Sequence, residues 1–166
     1  MPENKVPKID PEFLNPFIAA TKMTLETQAN TALTPEKAYV KKDKTLESTT
    51  EIAGIINLTC EQFQGSIALC FPAKVFLKIY ENMVDEVIDT IDEDVADCAG
   101  ELLNIIFGNA KTTLMAKGYK LERAIPTVLI GEKLQVQFRS PYPAIVLPFR
   151  TEAGSFDVEI LVEHGD

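Results

Sequence analysis

Apolar residues recur at helical spacing in three stretches of this chain, and most of the remainder alternates or clusters as strands do. Asp10-Pro11-Glu12 opens the first helix, since Asp can cap and Pro suits the first helical position. Phe13, Leu14, Phe17, Ile18, Thr21 and Leu25 then follow along one side, and Pro16 falls early enough to be tolerated. Pro72 begins a second, short helix with Val75, Phe76, Ile79 and Tyr80 inward. The third and longest helix runs from about Asp92 and ends by Gly118, a residue suited to a left-handed C-terminus. Thr90 followed by Glu93 supplies a capping box at its start.

Between the helices, Thr34 to Lys42 alternates weakly and ends in a lysine-rich turn, which predicts an edge strand. Thr49 to Thr59 and Gly65 to Phe71 form a hairpin pattern around Glu61 to Gly65. After the third helix come strand-like runs at Tyr119–Glu122, Thr127–Ile130, Leu134–Phe138, Ala144–Phe149 and Phe156–Val162. The pattern therefore reads helix then strands, twice. It predicts an α+β fold with two long helices on one face of a largely antiparallel sheet.

The polar side of the third helix is the unusual feature. Asp97, Glu101, Asn104, Gly108 and Lys111 are separated by steps of 4, 3, 4 and 3, which places all five on one face. Leu102, Leu103, Ile106, Phe107 and Ala110 lie beside and behind them. Every surface helix has a polar face, but an ordinary one favours Lys and Glu. Asn and Gly each cost roughly 0.5–1 kcal/mol of helix propensity relative to Ala. A helix that accepts both within five residues marks this stripe as a working surface.

The first and third helices also resemble each other. Residues 12–25 align without a gap on residues 101–114, with identities at Glu12/Glu101, Leu14/Leu103, Asn15/Asn104, Lys22/Lys111, Thr24/Thr113 and Leu25/Leu114. This suggests a duplicated single domain over residues 1–166, with pseudo-symmetric halves of about 10–72 and 91–163. The first copy has Lys8 where an aspartate stands in the second and carries Pro16, so it reads as a silent remnant.

Composition narrows the function. The content is 46% hydrophobic and 25% charged, as in globular domains. The net charge of −9, without a basic patch interleaved with aromatics, argues against nucleic acid and for a partner carrying lysines or a metal ion. No apolar run is long enough to span a membrane, and MPENKVPKID lacks a signal-peptide core, so a cytoplasmic location is expected. Cys60, Cys70 and Cys98 have no metal-ligand spacing and read as reduced thiols. The stretch Glu81 to Glu101 holds nine acids and no Lys or Arg, which reads as a solvated linker followed by helix-start acids. Asp92-x-Asp94 lacks the turn glycine and distal Glu of a calcium loop. His164, the only histidine, reads as an exposed tail residue, and neither GxSxG nor a Walker pattern occurs.

Asp97-x3-Glu101-x2-Asn104, with Pro126 further on, resembles the signature of the CheC/CheX/FliY phosphatases, which dephosphorylate the chemotaxis response regulator CheY. The opening helix with Asn15-Pro16-Phe17-Ile18, and the single full motif on the later helix, are most similar to the CheX branch. The resemblance implies a CheC-like fold, a homodimer, and Glu101 and Asn104 as the catalytic pair. Asp97, Gly108, Lys111 and Pro126 are then the partner-binding residues, although Pro126 suits the shaping of a strand start as well. No cofactor is expected on this chain; Mg²⁺ and the nucleophilic carboxylate would belong to the response regulator.

The residues suit that chemistry on their own terms. An aspartyl phosphate is a mixed anhydride, so its hydrolysis needs mainly an in-line water and stabilised charge. A carboxamide can accept a hydrogen bond from water and has no pKa to tune. A glutamate one turn earlier can pair with a partner lysine and fix the docking register. The alternative is a docking module of the same shape that holds a response regulator or flagellar switch protein without hydrolysis.

Overall fold

The computed structural model describes residues 11–41 and 48–164. Its elements are α1 (Pro11–Gln28), β1 (Thr34–Pro35), β2 (Tyr39–Val40), β3 (Ile52–Thr59), β4 (Phe63–Phe71), α2 (Ala73–Val84), α3 (Glu93–Ala116), β5 (Thr127–Ile130), β6 (Ile145–Thr151) and β7 (Gly154–His164). Lys8, the Asp10 cap and the lysines of the 42–47 turn lie outside the described residues.

All the strand pairings are antiparallel, and the sheet runs β1-β6-β7-β4-β3-β5, with β2 also beside β6. This order has an internal two-fold pattern about the β4–β7 pair. The β3–β4 hairpin of the first half mirrors the β6–β7 hairpin of the second. Each half also lends its edge strand to the other: β1 and β2 pair with β6, while β5 pairs with β3. The fold is therefore α+β with two pseudo-symmetric, interlocked halves. α2 is the addition to the first half.

The core lies between the sheet and its helices. Phe63, Ile67, Leu69 and Phe71 of β4 and Phe156, Val158, Ile160 and Val162 of β7 are all buried, as the period-two alternation requires. Phe149 stacks on Phe156 with ring centroids 5.3 Å apart. On α1 the buried side comprises Phe13, Leu14, Pro16, Phe17, Ala20, Thr21, Thr24 and Leu25, and Ile18 is half-buried. Thr21 satisfies its hydroxyl on the Phe17 carbonyl at 2.7 Å, which lets a polar residue sit in the core.

Several expectations change. α3 is capped by Asp92, not Thr90: the Asp92 backbone is extended and its carboxylate accepts the Val95 N–H at 2.9 Å. Glu93 is thus the first helical residue, too early for a capping-box acid. Thr90 donates its hydroxyl to Asp89 instead. α2 runs on to Val84 and ends at the left-handed Asp85, so only the later acids form the linker.

Tyr119–Glu122 and Leu134–Phe138 are not strands. Among the described residues, the first joins the sheet's hydrogen bonding only through Glu122 N, which donates to the Thr59 carbonyl at 2.7 Å, while Leu121 plugs the core and Tyr119 packs on Phe63 of β4. The second is a strap across the opposite face of the sheet, where Val136 and Phe138 pack over Ala53, Ala68 and Cys70. Lys41 Nζ fastens it, donating to the Val136 carbonyl at 2.7 Å while pairing with the buried Glu159 at 2.9 Å.

The backbone of His164 is paired with Phe63 in β7, so this residue ends a strand rather than lying in a free tail. β7 itself is flanked on both sides, so the C-terminal strand is not available to extend the sheet into a second subunit. Among the described residues, no helix is long and apolar enough to cross a membrane. The three cysteines are free thiols, with Cys70 and Cys98 buried and Cys60 half-buried.

Candidate functional site

The stripe on α3 is presented outward by a helix whose opposite side is sealed. Val95, Cys98, Ala99, Gly100, Leu102, Leu103, Ile106, Phe107, Ala110 and Leu114 are buried. Asp97, Glu101, Asn104 and Gly108 are exposed and Lys111 is half-buried. Leu102 and Leu103, between the two motif residues, are driven into the core, which forces Glu101 and Asn104 to the same outer side one turn apart. Among the described residues, no hydrogen bond or ion pair engages the Glu101 carboxylate or the Asn104 carboxamide. Both are available to something outside the chain.

Two glycines seat this part of α3 close to the sheet. A Cβ at Gly54 of β3 would lie 3.1 Å from Leu103 Cδ2. A Cβ at Gly100 would lie 3.3 Å from Val128 Cγ2 of β5 and 3.8 Å from Pro126 Cγ. The helix is therefore pinned at the level of Glu101, between β3 and β5. Pro126 is half-buried and packs toward α3 at the turn that carries Glu101. It precedes β5 and lies beside Gly100, the residue before Glu101. Gly100 was not singled out from sequence. The signal was the inward run Cys98-Ala99-Gly100, whose small residues permit close approach.

The electrostatic setting is acidic. Burial, and after it the Glu101 carboxylate, pushes the Cys98 thiol up to about 11, so this cysteine is a neutral packing residue behind the stripe. Its sulfur lies 3.4 Å from Met83 Sδ and ties α2 to α3. Among the described residues, no group of three or more His, Cys, Asp or Glu converges to hold a metal ion.

Two clefts lie away from the stripe. They measure about 460 and 360 Å³ and are lined by residues of α2, the segment that follows α1 and the β6–β7 turn, among them Lys78 and Ala153, and by none of the stripe. A convex helix face with an unengaged carboxylate and amide suits a macromolecular surface rather than an enclosed small molecule.

The first copy of the motif is placed differently. Glu12 and Asn15 are also exposed, but they fall in the opening turn of α1 rather than mid-helix. Lys117 donates to the Glu12 carbonyl at 2.8 Å, bringing the end of α3 against this turn. Lys22, the counterpart of Lys111, is occupied by Glu26 and by the Leu33 carbonyl.

Comparison with known proteins agrees with this architecture. The family described as Chemotaxis phosphatase CheX matches residues 52–150. A chemotaxis protein CheX from Vibrio vulnificus is 32% identical, with a TM-score of 0.84 over 92% of this chain and 99% of that one. A CheC-like superfamily protein from Shewanella sp. PV-4 is 34% identical, with a TM-score of 0.86 over 93% of this chain and 99% of that one. A CheX–CheY–BeF3–Mg²⁺ complex from Borrelia burgdorferi shares the fold at 24% identity, with a TM-score of 0.77 over 95% of this chain and 100% of that chain. No curated protein sequence matches. With the fold, the exposed Glu-x-x-Asn pair and these similarities in agreement, the chain belongs to the CheX family of chemotaxis phosphatases.

Proposed function

We propose that this chain is a phosphatase for an aspartyl-phosphorylated response regulator of the CheY type. Asn104 positions the attacking water, and Glu101 pairs with a lysine of the regulator. The observation that carries this reading is the outward, unengaged placement of both side chains one turn apart on a helix pinned to its sheet. The Borrelia burgdorferi protein of similar fold forms a complex with CheY, BeF3 and Mg²⁺, which supports the choice of partner.

In the proposed reaction the water oxygen bonds to phosphorus and the acyl-phosphate P–O bond breaks, so the regulator's carboxylate leaves with the electron pair. The water proton passes to the departing inorganic phosphate or to solvent. Asn104 cannot take that proton, and its part is to orient the water by accepting one of its hydrogens. Mg²⁺ and the phosphorylated carboxylate belong to the regulator. Asp97, Gly108, Lys111 and Pro126 border the docking face, and the protein works as a homodimer. A sheet extended across subunits would have to use β5 or the β1–β2 edge. Glu12 and Asn15 take no part.

The test is phosphate release from a phosphorylated response regulator, with and without this protein and with Mg²⁺ throughout. Stimulated release is expected. Tight binding of the phosphorylated form without stimulation would instead identify a docking module.

A further inference from the structure

Gly108 stands in the interior of α3, exposed, one turn beyond Asn104 on the same face. A side chain built there would meet nothing within 4 Å. Its backbone is helical rather than left-handed, so neither packing nor conformation within the chain calls for a glycine. Gly100 is the contrast, since its missing side chain makes room for Val128 and Pro126. An exposed helical glycine weakens the helix relative to alanine, so Gly108 carries a cost that its own fold does not explain.

On the helix surface Gly108 is bordered by Asn104 and Ile105 on one side and by Lys111 and Thr112 on the other. Thr112, one turn on, turns its hydroxyl back to the Gly108 carbonyl at 3.1 Å. Ile105 lies on the α1 side, 37% exposed. On that side Asn109 reaches Thr24 of α1 at 3.5 Å. The next charge along the stripe is the half-buried Lys111.

We infer that Gly108 is a clearance position: its missing side chain lets the phosphorylated partner lie directly against the α3 backbone, so that the short Asn104 carboxamide reaches the phosphate. This rests on the phosphatase reading above. Asn104 is, with Asp97, the shortest functional side chain on the stripe, and as the water-positioning group it sets how near the helix must come. Bulk one turn away would wedge the two surfaces apart and leave the carboxamide short of its water. The partner segment that passes over Gly108 is accordingly thin, bare backbone or small side chains, with Ile105 as its apolar neighbour.

The test compares Gly108→Ala and Gly108→Leu in the full chain. Gly108→Ala is expected to raise the thermal midpoint by about 2–4 °C, because helix propensity improves and nothing clashes. The same variant should lower kcat for phosphate release by about tenfold, and Gly108→Leu by about a hundredfold, as misplaced reacting groups do. A glycine needed by the fold would lose stability and activity together. Full activity in Gly108→Leu, or a lowered midpoint in Gly108→Ala, overturns the inference. Asn104→Ala run in parallel separates the two claims. If it is inactive while Gly108→Leu is fully active, clearance alone fails. If it too is fully active, the phosphatase reading fails and clearance falls with it.

Discussion

Val128 of β5 closes on Gly100 of α3 so tightly that a Cβ at Gly100 would stand 3.3 Å from Val128 Cγ2, and the residue after Gly100 is Glu101. The contact ties the edge strand to the turn that carries the motif. A leucine at Gly100 would have to push β5 and Pro126 outward. Gly100→Leu is expected to cost about 1–3 kcal/mol as an overpacked site, readable by urea denaturation. It should also lower phosphatase activity beyond that loss, because Glu101 moves with the helix.

The contrast between neighbours on α3 is a second expectation. Leu103 is fully buried and faces Gly54, whereas Asn104 is exposed. Leu103→Ala should cost about 2–5 kcal/mol and Asn104→Ala under about 0.5 kcal/mol. Chemical denaturation of the two variants, one residue apart, checks the assignment of faces directly.

This division was legible in the sequence because it follows from periodicity alone. Leu102, Leu103, Ile106 and Phe107 mark the inward side, and the stripe is what they leave. The β3–β4 hairpin was readable from two apolar runs separated by Glu61–Gly65, and the buried side of β7 from the alternation of Phe156, Val158, Ile160 and Val162. What the pattern could not give was pairing partners. Leu134–Phe138 alternates like a strand, yet it lies as a strap with Val136 and Phe138 packed on Ala53, Ala68 and Cys70 and with Lys41 holding the Val136 carbonyl. The exchange of β5 and β1 between halves, and the central place of β7, are non-local choices of the same kind. At the site, Asn104 and Gly108 were visible as residue types out of place on a helix, and Glu101 by its spacing from Asn104 on the same face. The pinning role of Gly100 became visible only with Val128 beside it.

The strap gives a third expectation. Lys41 is the counter-ion of the buried Glu159, with contacts at 2.9 and 3.2 Å. Lys41→Met leaves that carboxylate in a poorly solvated site without its cation and frees the Val136 carbonyl. A loss of about 3 kcal/mol is expected, with faster amide exchange across residues 134–138. Unchanged stability would mean that solvent reaches Glu159 freely.

Asp157 makes stability depend on pH. Burial first, then the Glu159 carboxylate and more weakly that of Glu36, push its carboxyl up to about 6, and Lys41 only partly offsets them. The folded state therefore binds this proton more tightly than the unfolded chain. Its contribution is fully present below about pH 4 and is lost as pH rises through about 6. Asp157→Asn removes the titration, so it should stabilise the protein by about 1 kcal/mol near pH 8 after allowance for solvent screening. The advantage should fade toward pH 4. Thermal midpoints of both proteins across that range read it directly.

Asn104→Ala tests the central claim most directly, measured in two assays on one preparation: phosphate release from the phosphorylated response regulator, and fluorescence titration against the beryllofluoride-loaded regulator. Removing the carboxamide takes away water placement and little contact area. Release is expected to fall about a hundredfold, as when one charge- or water-positioning group is lost, while affinity stays within a few-fold. Glu101→Ala in the same assays should weaken binding as well, by about 2 kcal/mol if its lysine is left unpaired. Full phosphatase activity in a normally folded Asn104→Ala protein would contradict the account.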